Sequence, residues 1–553
     1  MHKGLSALPL GGAGEVTMSM MVYECDKEMI LVDAGLTFPD EKTPGVDLIL
    51  PDIDYIRKNI KRLKGIVISH GHEDHIGALP YLWEEMPVPV YLTKFANLIL
   101  EDKLKDVGLK GDVPVTVVKA NQKFKLGENF EIEFINVLHS IPETNALAIR
   151  TPHGNIFHTT EYKFDETPVL GKKTDKDILK AYGDEGVLAM FGDSTNALIS
   201  GTSGTESELR ESLSDILSKR KNRVFFCCFA SHVARMTTAL EIARTNNRKV
   251  ALWGYSVKKM IKYARQCGYI DEKCFDNIIS PEEAIALPKN DVMVIVTGSQ
   301  AQSNAALYKL IRDQIPIKMT QGDTVILSAL AIPGNEKPIG EMLNQLAKKG
   351  VEAITRRVDF VHVSGHGYKD EIEQMYKLIR PQIAVPIFGD HVQMREHADF
   401  AKKIGVPKQF VIENGTRIKL APEKPSLLKE ESASFGRVYV DGLNILDEDR
   451  FIIKERLQLS EQGVVTVAFS FDAETGKLNG DPVVKSRGII DPELQPDLVE
   501  DAIASAQDAF YRAFKKNGAD LPAIEEAVRI SVRRIFRVER DRNPTTIVSG
   551  LMV

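Results

Sequence analysis

Four side chains of metal-ligand type lie within six residues of this sequence. The segment SHGHEDH (69–75) contains an HxHxDH pattern and directly follows an apolar, strand-like run. On a loop, alternate residues converge, so His70 and His72 can bind one metal ion while Asp74 and His75 bind a neighbouring one. Imidazole and carboxylate suit zinc or manganese, and two such ions can lower the pKa of water enough to supply hydroxide at neutral pH. The spacing favours a hydrolytic two-metal site over a histidine-rich surface loop.

Three further residues fit the same centre. Asp33 ends the apolar run ILVD (30–33), where it could orient a ligand histidine by accepting its hydrogen bond, or simply form a turn. His139 ends the run FEIEFINVLH (130–139), and Glu161 directly follows GNIFHTT (154–160). Taken singly, such a histidine is more often structural and such a glutamate more often solvated. Their order along the chain and their position at strand ends favour a role beside the HxHxDH motif.

The elements that must position these residues are short strands in the first 200 residues. Further along, helices alternate with the apolar runs 250–256, 292–299 and 324–332, which predicts βαβ units and a parallel sheet. Thr205 is a predicted N-cap, and Glu208 three positions later completes a capping box. We also predict strand-to-loop segments at 360–366 and 383–390, a linker rich in Pro, Ser and charge at 421–435, and a small α+β domain with a helical stretch at 498–541.

Composition limits the classes of protein. The 553 residues predict two or three domains, and the net charge of −6 gives no global basic field, so a nucleic acid would be bound by a local patch. The five cysteines form neither a disulfide scaffold nor a CxxC zinc site. The apolar runs are too short to cross a membrane, and the N-terminus lacks a hydrophobic signal core. We therefore expect a cytoplasmic protein that does not bind a membrane.

A series of motifs in one order gives the sequence a family resemblance. It resembles the RNase J family, nucleases of the β-CASP group with a metallo-β-lactamase fold. The similar segments cover almost the whole chain and are LPLGGAGE (8–15), 35–52, 69–82, HSIPE (139–143), GDSTNAL (192–198), TGSQ (297–300), IPGNEKPI (332–339), HVSGHG (362–367) and GRVYVDG (436–442). A general metallo-β-lactamase resemblance would stop at HxHxDH.

The resemblance implies an α/β fold with a discontinuous layout. An αββα metallo-β-lactamase domain carries an inserted β-CASP α/β domain, and a small α+β domain follows at the C-terminus. The implied boundaries are 1–205 for the first part of the metallo-β-lactamase domain, 206–354 for the β-CASP domain, 355–420 for the second part, 421–449 for a linker and 450–553 for the C-terminal domain. The active site is expected in the cleft between the first two domains.

The resemblance also implies the activity. It implies a metal-dependent ribonuclease that degrades RNA from 5′ to 3′, can cut internally, and acts in mRNA turnover and in 5′-end maturation of rRNA. The implied cofactor is zinc at a two-metal site, with manganese as the alternative. The expected substrate is single-stranded RNA, preferably with a 5′-monophosphate. The expected assembly is a homo-oligomer, dimer or tetramer, or a hetero-oligomer with a paralogue, formed through the C-terminal domain.

Residue roles follow from the resemblance position by position. His70, His72 and His139 would hold the first metal, Asp74 and His75 the second, and Glu161 would bridge the two. The residues implied in catalysis are Asp74, Asp193 and His366, the last as proton donor or phosphate ligand. The implied substrate contacts are a phosphate cradle at His362, Val363, Ser364, Gly365 and His366 and a nucleotide contact at Ser231, His232 and Val233.

Several functional positions depart from the family pattern. The usual HTGDxK reads HTTEYK (158–163), so Glu161 keeps the charge but adds one methylene. The usual PxHGE reads PIFGD (386–390), so Phe388 replaces a histidine ligand of the second metal, with His391 the nearest histidine. Three further changes affect no expected metal ligand. They are His232 in place of asparagine, Ala301 after TGSQ, and Val16-Thr17 in the N-terminal motif.

These departures leave two hypotheses open. In the first, the chain is a two-metal ribonuclease, as the HxHxDH motif and the phosphate loop indicate. In the second, it is a weakly active or inactive RNase J-like paralogue that binds RNA or serves as a scaffold subunit with an active partner, which Glu161 and Phe388 favour. A small-molecule metallohydrolase is disfavoured because all the β-CASP segments are present.

Local basic segments could hold RNA on this acidic chain. They are 58–65, 265–268, Arg356-Arg357 and, most basic of all, 529–542. In the last segment Arg529, Arg533, Arg537 and Arg540 share one helical face. We interpret this face as solvated and paired with nearby acidic residues, with Ile530, Ile535 and Val538 packing inward.

Overall fold

The computed structural model describes residues 3–332, 334–442, 444–446 and 450–553. The chain divides into two compact units, one holding the N-terminal residues to Thr37 together with Leu50–Arg437, the other Phe38–Ile49 with Val438–Val553. Pro333, Leu443 and residues 447–449, which belong to the IPGNEKPI motif and the predicted linker, lie outside the described residues.

Up to residue 205 the elements are mostly short strands. The strands are β1 (Leu5–Gly11), β2 (Met20–Cys25), β3 (Glu28–Val32), β4 (Leu48–Pro51), β5 (Leu63–Val67), β6 (Val90–Leu92), β7 (Val115–Val117), β8 (Lys123–Leu126), β9 (Phe130–Asn136), β10 (Asn145–Thr151), β11 (Gly154–His158) and β12 (Val187–Asp193). The helices are α1 (Asp54–Lys58), α2 (Glu73–Ile76), α3 (Leu79–Leu82), α4 (Lys94–Asp106) and α5 (Lys176–Asp184).

From residue 206 to 354 helices and strands alternate. The helices are α6 (Glu206–Ser218), α7 (Val233–Thr245), α8 (Tyr255–Gln266), α9 (Glu272–Phe275), α10 (Pro281–Ala286), α11 (Ala306–Ile311) and α12 (Glu336–Lys348). The strands are β13 (Val224–Cys227), β14 (Lys249–Trp253), β15 (Ile278–Ile279), β16 (Val292–Val296), β17 (Thr324–Leu327) and β18 (Glu352–Ile354).

The rest of the chain returns to the first sheets and then adds further elements. It contains α13 (Lys369–Ile379), β19 (Ile383–Ile387), α14 (His391–Lys403), β20 (Lys408–Gln409), β21 (Arg417–Ala421), β22 (Ser426–Leu428), β23 (Arg437–Asp441), β24 (Asn444–Leu446), α15 (Arg450–Gln462), β25 (Val464–Phe471), β26 (Val483–Arg487), α16 (Pro496–Asn517), α17 (Leu521–Arg540) and β27 (Thr545–Met552). Short 3₁₀ turns lie at Ile60–Arg62, Trp83–Glu85, Lys289–Asp291 and Lys429–Glu431.

Two mixed sheets form a sandwich in the first unit. Their strand orders are β22-β21-β1-β2-β3-β5-β6-β7 and β20-β19-β12-β11-β10-β9-β8. Tyr23 and Val32 of one sheet share a core with Phe134, Phe191 and Val385 of the other. Helices α5, α13 and α14 cover the outer face of the second sheet, and α4 packs against β7 of the first. This layering is αββα.

The inserted segment forms a separate sheet within the same unit. Its order is β15-β14-β16-β13-β17-β18, and all its pairings are parallel. Fully buried apolar runs such as VMVIV (292–296) are typical of a parallel sheet covered by helices on both faces. The predicted alternation is therefore confirmed, and so is the capping box of Thr205 and Glu208 at the start of α6.

The second unit contains a three-stranded sheet, β26-β25-β27, covered by α16 and α17. In β25 the buried side chains alternate with exposed ones, so one face of the sheet packs against the helices. The inward prediction for Ile530 and Val538 is wrong, because they are 54% and 69% exposed. The core face of α17 instead presents Ile524, Val528, Val532 and Phe536, one helical turn apart each time.

Other sequence predictions need correction. Residues 360–366 form no strand, since the HVSGH segment is held by side-chain contacts instead of a sheet partner. Strand β9 ends at Asn136, so His139 stands three residues beyond it. Ser426–Leu428 of the predicted linker pairs with β21 as an edge strand. Among the described residues, no helix is long and apolar enough to span a bilayer.

Candidate metal centre

The HxHxDH segment lies at one end of the sandwich, where two neighbouring parallel strands stop. Strand β5 ends at Val67, and the Asp33 N–H after β3 donates to the carbonyl of Val67 at 2.9 Å. Asp33 adopts a left-handed backbone (φ 62°), which aims its side chain across to the next loop. The Ser69 N–H and hydroxyl both donate to the Asp33 carboxylate, at 2.8 and 2.9 Å. Hydrogen bonds to Asp33 thus fix the start of the loop, just before its first histidine.

Four side chains converge in the first ligand group. The donor atoms of His70, His72, His139 and Glu161 all lie within 4.8 Å of one another. His139 Nε2 is 3.2 Å from His72 Nδ1 and 3.1 Å from Glu161 Oε2. His139 Nδ1 is 2.7 Å from the carbonyl of Gly365, which fixes the ring from behind. Burial lowers the pKa of His72 to about 4, so its imidazole is neutral, the form that binds metal.

A second group shares Glu161 with the first. Asp74, His75 and Glu161 place one donor atom each within 4.8 Å of one another. Glu161 Oε1 lies 3.5 Å from His75 Nε2, while its other oxygen faces His139. Burial, and then the nearby charge of Glu161, raise the pKa of Asp74 to about 7. The glutamate therefore stands between the two groups, in the position predicted for a bridge.

One structural observation, independent of the sequence motif, indicates that these residues can bind a metal ion. His75 Nδ1 lies 2.7 Å from Asp33 Oδ2, so Asp33 orients this ring. The opposite nitrogen, His75 Nε2, is fully buried and has no hydrogen-bond partner among the described residues. A buried polar atom without a partner is costly, and a cation at this point would satisfy it. The three imidazoles and the carboxylate of the first group are a donor set suited to zinc.

Phe388 fills the place next to the second group. It follows β19 with a left-handed backbone (φ 52°), and its N–H donates to the carbonyl of Gly12 at 2.8 Å. The ring is buried and meets the rings of His75 and His158 edge to face. His391 begins α14 and lies beside Gly14. Within the described chain His391 belongs to neither ligand group, so the nearest histidine does not replace the missing one.

Thr160 is a second departure with a structural consequence. It stands where the family pattern has glycine, and its φ is 52°, a region that β-branched residues rarely adopt. Its hydroxyl donates to Ser69 Oγ at 2.9 Å. Ala301, also at a family glycine position, has φ 59°. Thr160 and Ala301 thus both have the left-handed backbone conformation that glycine would adopt without strain.

Asp193 and His366 form a pair beside the metal ligands. Asp193 Oδ2 lies 2.9 Å from His366 Nδ1, and Thr195 donates to the other carboxylate oxygen through its N–H and hydroxyl. The His366 ring meets the ring of His139 at 4.9 Å between centroids. Burial lowers the pKa of His366, but the carboxylates of Asp193 and Glu161 outweigh it and raise the pKa to about 9.

The HVSGH segment is held from both sides. The Asn196 side chain donates to Ser364 Oγ at 2.9 Å and to the carbonyl of His366 at 3.1 Å. On the other side, the buried Arg235 donates to the carbonyl of Val363 at 3.3 Å and lies 3.3 Å from His362 Nδ1. The cradle therefore has a defined shape without being part of a sheet.

Ser231, His232 and Val233 lie at the start of α7. The His232 ring accepts from the Arg235 N–H at 3.2 Å as the helix cap, and it is buried. The Val233 side chain is also buried, whereas Ser231 is partly exposed. The N–H groups of His232 and Val233 donate to the carbonyls of Phe229 and Ser231, so a nucleotide contact in this stretch would use Ser231 and not the two buried side chains.

Sequence reasoning missed the buried ion pair that joins these segments. The Arg235 guanidinium binds both carboxylate oxygens of Glu206, at 2.9 and 3.2 Å, and donates to Ser328 and to the carbonyls of Val361 and Val363. The sequence around Arg235 did not reveal this ion pair and its carbonyl contacts, because Glu206, Ser328, Val361 and Val363 lie 29 to 128 residues away. Ser69 and Asn196 stand inside the motifs already quoted and could have been singled out there.

Known protein families match the chain along most of its length. Four family models match successive parts of the chain. They are the beta-lactamase superfamily domain (28–179), the ribonuclease J beta-CASP domain (221–346), the Zn-dependent metallo-hydrolase RNA specificity domain (350–410) and the ribonuclease J C-terminal domain (451–551). The fold class predicted from the sequence is confirmed.

The chain is similar over its length to several curated proteins. It is 38% identical to a Ribonuclease J of Sinorhizobium meliloti, over 98% of this chain and 96% of that protein. It is 34% identical to Ribonuclease J 1 of Streptococcus pyogenes and 29% identical to Ribonuclease J2 of Bacillus subtilis, over 97% and 98% of this chain and 96% and 97% of those proteins. A crystal structure of an Enterococcus faecalis protein of unknown function shares the fold, with a TM-score of 0.53 at 17% identity, over 75% of this chain and 100% of that one.

Proposed function

This chain belongs to the ribonuclease J family, and we propose that it hydrolyses RNA phosphodiesters at a metal centre formed by His70, His72, Asp74, His75, His139 and Glu161. The observation that carries the proposal is the position of Glu161, whose two oxygens face the two ligand groups separately. Metal ions bound there, zinc or alternatively manganese, would polarise the phosphoryl group and lower the pKa of water.

The remaining side chains hold the substrate and move the proton. Asp193 fixes His366 through Nδ1, which leaves Nε2 free to give a proton to the leaving oxygen or to bind the phosphate. Asp74 orients the attacking water from the side of the second group. The Ser364 hydroxyl and the Gly365 N–H would cradle the phosphate, and the His366 N–H holds the Ser364 side chain in place by donating to its Oγ at 3.1 Å.

The same cradle supports a preference for RNA ends. A terminal monophosphate matches one hydroxyl, one imidazole and one backbone N–H, whereas a triphosphate is larger and carries more charge. We propose degradation of single-stranded RNA from the 5′-monophosphate end, with internal cleavage as a secondary mode. The corresponding cellular roles are mRNA turnover and 5′-end maturation of rRNA in the cytoplasm.

A second candidate is favoured by one specific observation. Phe388 offers no donor atom to the second ligand group, so the chain could serve as a weakly active RNA-binding or scaffold subunit with an active partner. In either case we propose an oligomer formed through the C-terminal domain, a homodimer or homotetramer for the first candidate and a hetero-oligomer with a paralogue for the second.

Cleavage of a 5′-monophosphorylated single-stranded RNA, with metal content measured on the same sample, tests the proposal. The parent should degrade the RNA in the presence of zinc or manganese, and Glu161→Gln and His139→Ala should lower both metal content and rate. His391→Ala is the matched control and should change neither. RNA binding without cleavage at any metal concentration would favour the scaffold candidate. Neither binding nor cleavage would refute both.

A further inference from the structure

Several cations of the basic segments are neutralised by neighbouring carboxylates. Lys58 pairs with Asp54 at 2.6 Å, and Arg62 pairs with Glu24 at 3.0 Å. Farther along, Arg265 binds Glu272 at 2.5 Å and Arg529 binds Glu526 at 2.6 Å. A cation already paired with a carboxylate offers little to a polyanion such as RNA. The RNA surface should therefore be sought where lysines remain unpaired.

One face of helix α8 combines such lysines with an exposed aromatic ring. Tyr255, at the first position of α8, is 74% exposed. Lys258 and Lys262 are exposed, lie one turn apart, and form no ion pair with any described residue. The Lys259 ammonium lies 4.5 Å from the centroid of the Tyr255 ring and also pairs with Asp102. We call Tyr255, Lys258 and Lys262 the α8 face.

The α8 face lies at the edge of the sheet where the candidate site is built. Tyr255 follows β14 at its carboxyl end, as Ser231 follows β13 and Ser328 follows β17. In the sheet β14 is separated from β13 by β16 alone, so the two strand ends are about 10 Å apart. All these strands are parallel, so the residues after them share one edge.

A second route also connects α8 with the metal centre. Helix α8 packs against α4. Helix α4 in turn closes over the HxHxDH loop, because a Cβ at Gly71 would lie 2.7 Å from Ile99 and 3.5 Å from Ala96. One helix therefore touches both the metal-ligand loop and the helix that carries the α8 face.

Three acidic groups around α8 have partners other than Lys258 and Lys262. Asp102 is paired with Lys259, and Glu272 with Arg265. Glu143 accepts from the Phe95 N–H at 2.7 Å and from the Tyr269 hydroxyl at 2.9 Å, so both its oxygens are in use. The charges of Lys258 and Lys262 are left for an anion from solution.

We propose that the α8 face binds the substrate strand beside the metal centre, with Tyr255 stacking on a base and Lys258 and Lys262 contacting phosphates. An exposed aromatic ring flanked by unpaired lysines is the chemistry of sequence-tolerant binding to single strands. Base stacking needs an open ring face, which the exposure of Tyr255 provides. The inference rests on the proposed function, since it names how that site holds RNA.

The test is binding of the metal-loaded full chain to a labelled single-stranded RNA of about 20 nucleotides with phosphorothioate linkages, which resist cleavage, in the presence of zinc or manganese. Tyr255→Ala should weaken binding about tenfold, whereas Tyr255→Phe should keep the affinity, because stacking needs the ring and not the hydroxyl. The matched control is Tyr511→Ala, an exposed tyrosine of the second unit, which should bind like the parent.

The lysines are tested by the salt dependence of the same binding. Each lost phosphate contact should reduce the slope of log K against log salt by about 0.7, so Lys258→Gln with Lys262→Gln should reduce it by about 1.4. If the parent binds RNA and all these variants bind equally well with the same slope, the α8 face is not an RNA contact, while the proposed function stands. If the parent binds no RNA at all, the proposed function fails and this inference fails with it.

Discussion

The ring of Phe388 meets the ring of His75 edge to face, with the centroids 5.3 Å apart. His75 is the only histidine of the second ligand group found among the described residues, and its free nitrogen Nε2 faces Glu161. A phenylalanine ring, which has no metal-binding atom, thus lies where the family pattern places another metal ligand. The two ligand groups are unequal as a result, with four donors in one and three in the other.

The first prediction concerns metal content. The first group has three imidazoles and a carboxylate, whereas the second has two carboxylates and one imidazole. We expect one tightly held ion and a second that dissociates on dialysis, because a ligand set with one donor fewer binds more weakly. Elemental analysis after dialysis should give close to one metal per chain. A stable value of two would contradict this and would require an unrecognised ligand near Phe388.

The second prediction treats Glu161 and Phe388 as one coupled change. Phe388→His alone returns a ligand but leaves the longer bridge, and Glu161→Asp alone shortens the bridge but leaves the ligand missing. We expect the double variant to cleave RNA faster than the product of the single effects predicts, because both residues contact His75. A gain of about tenfold corresponds to ~1.4 kcal/mol of transition-state stabilisation.

The measurement for this cycle is the cleavage rate of the four proteins on one RNA at saturating zinc or manganese. Calorimetric titration of the second metal, done in parallel, separates ligand binding from catalysis. A double variant no faster than the parent, with a tighter second metal, would show that the missing ligand does not limit the rate. The scaffold candidate would then gain support.

The third prediction concerns the 5′ end of the substrate. His366 and Ser364 lie at the end of a loop fixed by Asn196 and Arg235, so the cradle has little room to widen. RNA with a 5′-monophosphate should be degraded faster than the same RNA with a 5′-triphosphate. Ser364→Ala should reduce this ratio more than it reduces cleavage of a circular RNA, which has no 5′ end. Equal rates on both linear RNAs, with products from internal cuts, would show that the cradle does not select ends.

The fourth prediction concerns the backbone strain at Thr160. A β-branched residue at φ 52° costs up to about 3 kcal/mol, and its hydrogen bond to Ser69 returns about 1 kcal/mol. The greater backbone freedom of glycine in the unfolded chain costs about 1 kcal/mol of the remaining ~2 kcal/mol, so we expect Thr160→Gly to raise the free energy of unfolding by about 1 kcal/mol, measured by urea titration of the metal-free protein. Thr159→Gly is the control and should destabilise, because Thr159 is not in the left-handed region. A loss of stability in Thr160→Gly would show that the hydrogen bond outweighs the strain.

The fifth prediction concerns acid stability. His397 is buried with its two ring nitrogens 2.9 Å from Ser194 Oγ and 3.0 Å from Tyr376 Oη, and burial lowers its pKa to about 4. In the unfolded chain the ring takes up a proton near pH 6.5, so the unfolded state binds more protons between pH 6.5 and 4. Stability should therefore fall as the pH drops through this window, by on the order of 3 kcal/mol from this residue.

His397→Gln tests this assignment. The variant should be less stable than the parent at pH 7.5, and the difference should shrink toward pH 4 because the variant lacks the group that titrates. Urea unfolding at a series of pH values gives both curves. The exposed His391→Gln should follow the parent throughout. A constant difference between parent and His397→Gln would place the acid sensitivity elsewhere.

Features that depend on a few neighbouring residues could be predicted from the sequence alone. The capping box at Thr205 needs only Glu208, three positions away, and the parallel sheet follows from apolar runs separated by helices. The spacing of HxHxDH after a strand identified the loop that carries four of the ligand-type side chains. These features can be predicted locally because a helix cap, a short loop motif or a fully buried strand depends little on the rest of the fold.

The tertiary structure decided everything that joins distant segments. The carboxylate of Glu161 reaches His70 across 91 positions, and His139 is fixed by the carbonyl of Gly365, 226 positions away. It also decided which arginines are paired, and that Ile530 points to solvent, because the inward face of α17 depends on how the helix docks on its sheet. The spacing of apolar residues shows which residues share a face of a helix or strand, but not which neighbouring element covers that face. The covering element is determined only when all the segments of the chain pack together.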